Sequence, residues 1–600
     1  MRLRDIIILC VCILLTAILL VAAGIQLDFI NSNRLQMKLI SNEPLENAPP
    51  SLAFATAAMG AFRGLVVDVL WMRAEKLKQQ NQFFDAKQLA EWITKLQPRF
   101  AQVWQFQAWN MAYNISVAIP ATEAEERWRW VKNGYELLRD QGIPLNPKNI
   151  GLYFELAWIF QHKIGSVSDD AHKYYKLKLA EAMEPLIEPA NRRYFKELAE
   201  APTNLQMVFN DPNITPLITA LKSADETFAD NNKFVSNYLT LRQNPRKFKP
   251  EAFGVINDFR NTTALQKFDN FAKAYQLRSI WKLEPALMQQ INEMYGPTDW
   301  DDPNKHLPLD WRHPATHAIY WAMKGLRAAG KEKFSAEEIN TDRIINQSLQ
   351  ELFRNGKIFI YNVPAEAAET TQTAAADKPL TVNRQIFLRP DLRMFEPYNK
   401  STLTIITKYR DQREATYESM QIGHRNMLKN AVFSFYQAGH TQQAQKIYDQ
   451  LKELYPKDEF KVPLVVFVRN RLREELQDID ITNAKEIIEM MLRESYFRYA
   501  LHDDDEAFGR EKMAEEIHKH YQSVRGNEEE NRIGLPDFAL LRYLALIDFL
   551  NDPQYPPNMR LALRNRIKIE RPELAEQLER QEEALYKQAE QQPMGSTGSP

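Results

Sequence analysis

Between Ala431 and Pro456 the chain reads AVFSFYQAGHTQQAQKIYDQLKELYP, and the spacing inside it constrains the fold more than any other feature. Gly439 is followed five places later by Ala444, then by Tyr448, Leu451 and Pro456. Each residue type has a physical reason to stand where it does. A glycine accepts a turn that a residue with a Cβ resists. A small residue such as Ala444 lets a second helix approach a first. Tyr448 and Leu451 fall on one helical face and fill the groove offered to whatever packs next. Pro456 cannot continue the backbone ladder and stops the helix. The pattern predicts two helices, a tight turn and a surface left open for a further pair.

The same distances recur near the N-terminus in VDVLWMRAEKLKQQNQFFDAKQLAEWITKLQP, which ends at Pro98. Ala74, Ala86, Ala90 and Ile93 take the small and apolar places, and Asn81 stands where the turn glycine would be. Asparagine also visits the left-handed conformation. Half-patterns follow in WQFQAWNMAYN, with Trp104, Ala108 and Met111, and in LYFELAWIFQH, with Ala157 and Phe160. This spacing resembles the tetratricopeptide repeat, a helix–turn–helix unit of 34 residues. The resemblance is specific over 425–458, weaker over 67–98 and architectural elsewhere. It is similar to that of bacterial membrane-anchored repeat proteins. It implies an irregular α-solenoid in two helical halves, whose concave surface binds an extended peptide or a partner protein. It implies no catalysis and no cofactor.

Composition agrees with an all-α fold. Only 19 of 600 residues are glycine, and both phosphate-cradling loops and tight β-turns consume glycine. No glycine-rich nucleotide motif is present. The net charge of −2 gives no electrostatic case for nucleic acid as a partner. The segment PAEAAETTQTAAADKP has no large apolar residue and reads as a solvated linker. It divides a helical body over 51–363 from a second over 383–590, with the linker at 364–382. A tail over 591–600 completes the chain. Between Thr203 and Pro303, helical runs are broken by NDPNITP, NPRKFKP and GPTDWDDPN, as expected of hairpins that have lost the motif or of an inserted subdomain. Thr482 is placed to cap the helix that follows it.

Residues 6–25 carry no charge, and twenty helical residues span about 30 Å, the thickness of a bilayer's hydrocarbon. Arg2 and Arg4 precede them, so the N-terminus is expected inside and the bulk of the chain outside. The expected plan is a transmembrane anchor over 1–30, a linker over 31–50 and an exported body. The competing expectation is cleavage after the small residues Val21–Gly24. The apolar stretch 51–72 is interrupted by Arg63 and Asp68 and is expected to be a core helix. The two cysteines, Cys10 and Cys12, both fall in the first apolar run, so no disulfide framework or zinc spacing exists elsewhere.

The stretch HLPLDWRHPATHAIYWA gathers His306, Asp310, Arg312, His313 and His317. Imidazole and carboxylate ligands suit a transition metal. However, Pro314 restricts His313 to extended geometry, so it is expected to cap a helix rather than share a face with His317. The stronger expectation is structural, and no metal is assigned. Acidic runs at Asp169–Asp170 and Asp503–Glu506 are expected to favour the positive ends of the helices after them. Eleven tryptophans fill core layers in one reading and line a sugar-binding cleft in the other. The expected function is therefore a membrane-anchored scaffold for protein–protein interaction. The alternative is an exported all-helical, glycan-processing enzyme, which needs two carboxylates facing each other.

Overall fold

In the computed structural model the described residues run from 63 to 580, apart from 303, 330–335, 365–381, 411–413, 477–480, 526–534 and 554, with isolated positions between 14 and 33. Apart from those isolated positions, the expected membrane segment and the linker at 31–50 lie outside them, as do nearly all of 364–382 and the tail. Among the described residues no helix is long and apolar enough to cross a membrane. The fold is all-α with one exception, a two-stranded sheet of Lys357–Pro364 and Val382–Arg389. The helical reading missed these strands. Their β-branched and aromatic content, in KIFIYNVP and VNRQIFLR, suits a pleated, half-buried surface.

The chain forms two compact units. One comprises Met1–Ile358 with Leu388–Tyr398, and the other Phe359–Phe387 with Asn399–Pro600. In the first, helices Arg63–Gln79 and Phe83–Leu96 form a pair. Asn81 makes the turn between them with φ of 60°. Ala74, Ala86, Ala90 and Ile93 are completely buried, so the two backbones can close on one another. The second helix stops at Leu96, and Pro98 follows the capping residue Gln97. The Pro98 carbonyl accepts a hydrogen bond from the Trp104 indole N–H at 2.8 Å, which ties the pair to the next helix.

Helix Ala101–Trp109 runs on into a π-helical turn, Asn110–Ile115, and helix Ile150–Trp158 into another, Ile159–Ile164. The buried alanines Ala108 and Ala157 stand at matching places in the two helices. Helix Ala124–Leu137 crosses the first closely. A Cβ on Gly134 would lie 2.9 Å from the Ala108 carbonyl oxygen, so only glycine fits there. Further along, five helices between Leu205 and Gln276 enclose a core of their own, with Phe268 edge-on to both Phe234 and Tyr238. Asp225, Asp230 and Thr262 cap helical segments here by accepting backbone N–H bonds.

In the second unit, helices Glu414–Gln437 and Thr441–Leu454 are joined through Gly439, whose φ is +84°. Ala444, Tyr448 and Leu451 are completely buried. The Tyr448 hydroxyl lies within hydrogen-bond reach of the Phe460 and Val462 carbonyls. The second helix ends at Leu454, with Tyr455 as its cap and Pro456 next. Thus Leu454–Tyr455–Pro456 repeats the arrangement of Leu96–Gln97–Pro98. A later hairpin joins Ile481–Ala500 to Asp504–Arg525. Its first helix begins before Thr482, so Thr482 lies inside the first turn instead of capping it.

Candidate functional site

The stretch containing His306, Asp310, Arg312, His313 and His317 is woven into the core of the first unit. His306 stands apart, its Nδ1 2.8 Å from the Gly296 carbonyl. Arg312 grips Asp310 through both carboxylate oxygens, at 3.0 and 2.8 Å. His313 Nδ1 accepts the Ala315 N–H at the start of helix Pro314–Ala329, so it caps that helix. His317 Nε2 bonds the Trp311 carbonyl at 2.9 Å, and its ring stacks on Phe160. Burial pushes both imidazoles down to about 4, which keeps them neutral. Among the described residues no group of three or more His, Cys, Asp or Glu could hold a metal ion.

A different cluster arises where the two helix-to-π-turn segments meet. Trp109 and Tyr113 stand one and five places past Ala108, and Trp158 and His162 stand one and five places past Ala157. The π turns begin at matching positions and close alike. The Ser116 amide bonds Met111, and the Gly165 amide bonds Phe160, each five residues back. The two segments therefore display the same half-exposed rings in the same register. Trp109 and Tyr113 stack with centroids 4.0 Å apart. Phe154, Trp158 and His162 form a ladder with spacings of 6.2 and 4.7 Å and nearly parallel planes. The Tyr113 hydroxyl meets His162 Nδ1 at 3.3 Å, which joins the two ladders.

Glu155 sits at this junction. Its Oε1 is shielded from solvent and has no hydrogen-bond partner. Burial pushes its pKa up to about 7, so the carboxyl is poised between its two forms near neutrality. It lies close enough to Tyr113 that its charge, added to burial, raises the phenol's pKa further. Burial, with Lys163 nearby, lowers the His162 pKa. Lys163 is engaged elsewhere, with its amino group 2.5 Å from Asp169 and above the Tyr113 ring.

Of the residues expected to pack the repeats, Ala74, Ala86, Ile93, Ala108, Ala157, Ala444, Tyr448 and Leu451 are all completely buried, and Trp104 nearly so. Trp92, Trp281, Trp311 and Trp321 are core residues as well. Trp109 and Trp158 are half-exposed and face the site. Glu155, Tyr113 and His162 were not singled out from sequence. The available signal was the shared offset of aromatic residues from Ala108 and Ala157. No protein-family model matches the chain, and no curated protein matches it.

Proposed function

We propose that the chain is a helical-repeat scaffold whose first unit binds an extended segment of a partner protein along the Trp109–Tyr113 and Phe154–Trp158–His162 ladders. One observation carries this reading. Helices Ala101–Trp109 and Ile150–Trp158, separated in the chain by helix Ala124–Leu137, present equivalent half-exposed rings from equivalent positions, as the units of a repeat architecture do when they build a shared binding surface. Tryptophan and tyrosine supply large contact areas at low entropic cost and dominate binding energies at interfaces. The uncharged run over 6–25, preceded by Arg2 and Arg4, supports attachment to the outer face of the cytoplasmic membrane. On this reading the scaffold is irregular and solenoid-like, and its chemistry is recognition. A glycan-processing site would need a second free carboxylate opposite Glu155. The next acid along the chain, Asp169, has its two oxygens on Arg127 and Lys163.

The test is an affinity pull-down of full-length protein from mild-detergent membranes, beside the variant Trp109→Ala/Trp158→Ala. Defined proteins that co-purify with the wild type and are lost with the variant support the reading. Partners that stay bound to a folded variant overturn it.

A further inference from the structure

The unpartnered buried side-chain atoms on the segments that carry the ladders are of one kind. Glu155 Oε1, Gln107 Oε1 and Gln161 Oε1 are buried oxygens with no hydrogen-bond partner, and all come from the helices and the π turn that build the site. A buried acceptor left without a donor carries a desolvation penalty, and a carboxylate carries the largest. These three oxygens therefore lack donors. Lys163, on the same π turn as Gln161, is held by Asp169. Tyr113 already carries Trp109 and the Lys163 ammonium on its ring, and Trp158 carries Phe154 and His162, so a further cation meets the ladders at their ends, where an aromatic face such as that of Trp109 attracts positive charge.

These features describe the complement of a guanidinium. It is flat, so it stacks on aromatic rings. It bears five N–H donors in a rigid fork and takes a carboxylate through two of them. An ammonium offers a compact point charge and does not stack. We infer that the bound segment presents an arginine side chain, whose guanidinium meets the Glu155 carboxylate beside Tyr113, where the two ladders join. The inference rests on the peptide-binding reading above and adds the residue recognised. Binding the cation stabilises ionised Glu155, whose pKa of about 7 leaves part of the population protonated in the free protein.

The experiment titrates full-length protein in mild detergent with two short peptides, following tryptophan fluorescence. One peptide carries two arginines spaced by glycines. In the other, citrulline replaces arginine, which keeps the shape and removes the charge. The arginine peptide is expected to bind at least about tenfold more tightly, and Glu155→Gln to abolish that preference. Equal binding of the two peptides by the wild type, or no binding of either, overturns the inference without relying on any variant. A folded Glu155→Gln protein that keeps the full arginine preference overturns it too. The pull-down separates this failure from that of the broader reading. Partners retained by Glu155→Gln but lost by Trp109→Ala/Trp158→Ala leave the binding face standing and remove arginine. Partners retained by both remove the face itself.

Discussion

Gly509 packs against the turn made by Gly439. A Cβ on Gly509 would lie 2.3 Å from the Ala438 carbonyl carbon and 2.6 Å from the Gly439 nitrogen. Helix Asp504–Arg525 thus crosses the repeat's turn backbone to backbone, and the groove beside the crossing, lined by Tyr436, His440, Phe508 and Lys512, encloses about 370 Å³. Gly509→Ala forces rigid backbone to move and is expected to cost about 1–3 kcal/mol. Gly439→Ala, at φ of +84°, is expected to cost about 1 kcal/mol. Urea midpoints of full-length protein check both, and an unchanged midpoint for Gly509→Ala contradicts the close crossing.

Asp169 is buried between two cations, with Arg127 at 3.1 Å and Lys163 at 2.5 Å, and it also accepts from the Ala171 amide and the Tyr175 hydroxyl. The sequence expectation, that it sits before a helix to favour the helix's positive end, misses this role. Burial alone would raise its pKa. The Lys163 hydrogen bond, the Ala171 amide and the two cations outweigh burial and hold it below the usual carboxylate range. Asp169→Asn leaves two buried cations facing each other and is expected to cost about 3–5 kcal/mol. The thermal midpoint measures this. A loss under about 1 kcal/mol would show the triad to be dispensable.

Stability should fall in mild acid. His313, His317 and His424 are completely buried, and burial lowers each pKa to about 4. The unfolded chain binds these protons near pH 6.5 and the folded chain does not. The neutral rings therefore contribute fully above about pH 6.5. Their contribution is lost as pH falls towards about 4, by about 3 kcal/mol per ring at most. Urea midpoints at pH 7.5, 6 and 5 test this. His424→Gln should flatten the slope while disturbing the bonds from His424 to Asn399 and Tyr455.

Asn81 occupies the left-handed region at φ of 60° in the first helix pair. Asn81→Gly should be neutral or stabilising by up to about 1 kcal/mol, because glycine adopts this conformation freely. Asn81→Val should destabilise by about 1–2 kcal/mol, because branching at Cβ resists it. Equal midpoints for the two variants would contradict the turn geometry.

The helix pairs were legible because they depend on local rules. Gly439, Asn81, Pro98 and Pro456 act on their own backbone, and Ala86 and Ala444 sit at fixed helical spacing from them. The strand pair was less legible because KIFIYNVP borders a low-complexity segment and is short enough to pass for the end of a helix. Glu155 was illegible for another reason. A lone glutamate in LYFELAWIF looks like one more helical residue, and its isolation depends on Tyr113, from a distant part of the chain, and on Asp169 holding the neighbouring Lys163. The Arg127–Asp169 pair is equally non-local, since the two residues belong to separate elements.

The matching π turns at Asn110–Ile115 and Ile159–Ile164 bear on how such a chain can vary. A π turn holds one residue more than an α turn within an otherwise continuous helix. Deleting a single residue there can heal the segment into plain α-helix without displacing the buried alanine before it. What changes is the direction of the side chains within the turn, Tyr113 in one segment and His162 in the other. Single-residue gains and losses at these two places can therefore re-aim the recognition surface while the packed interior keeps its register.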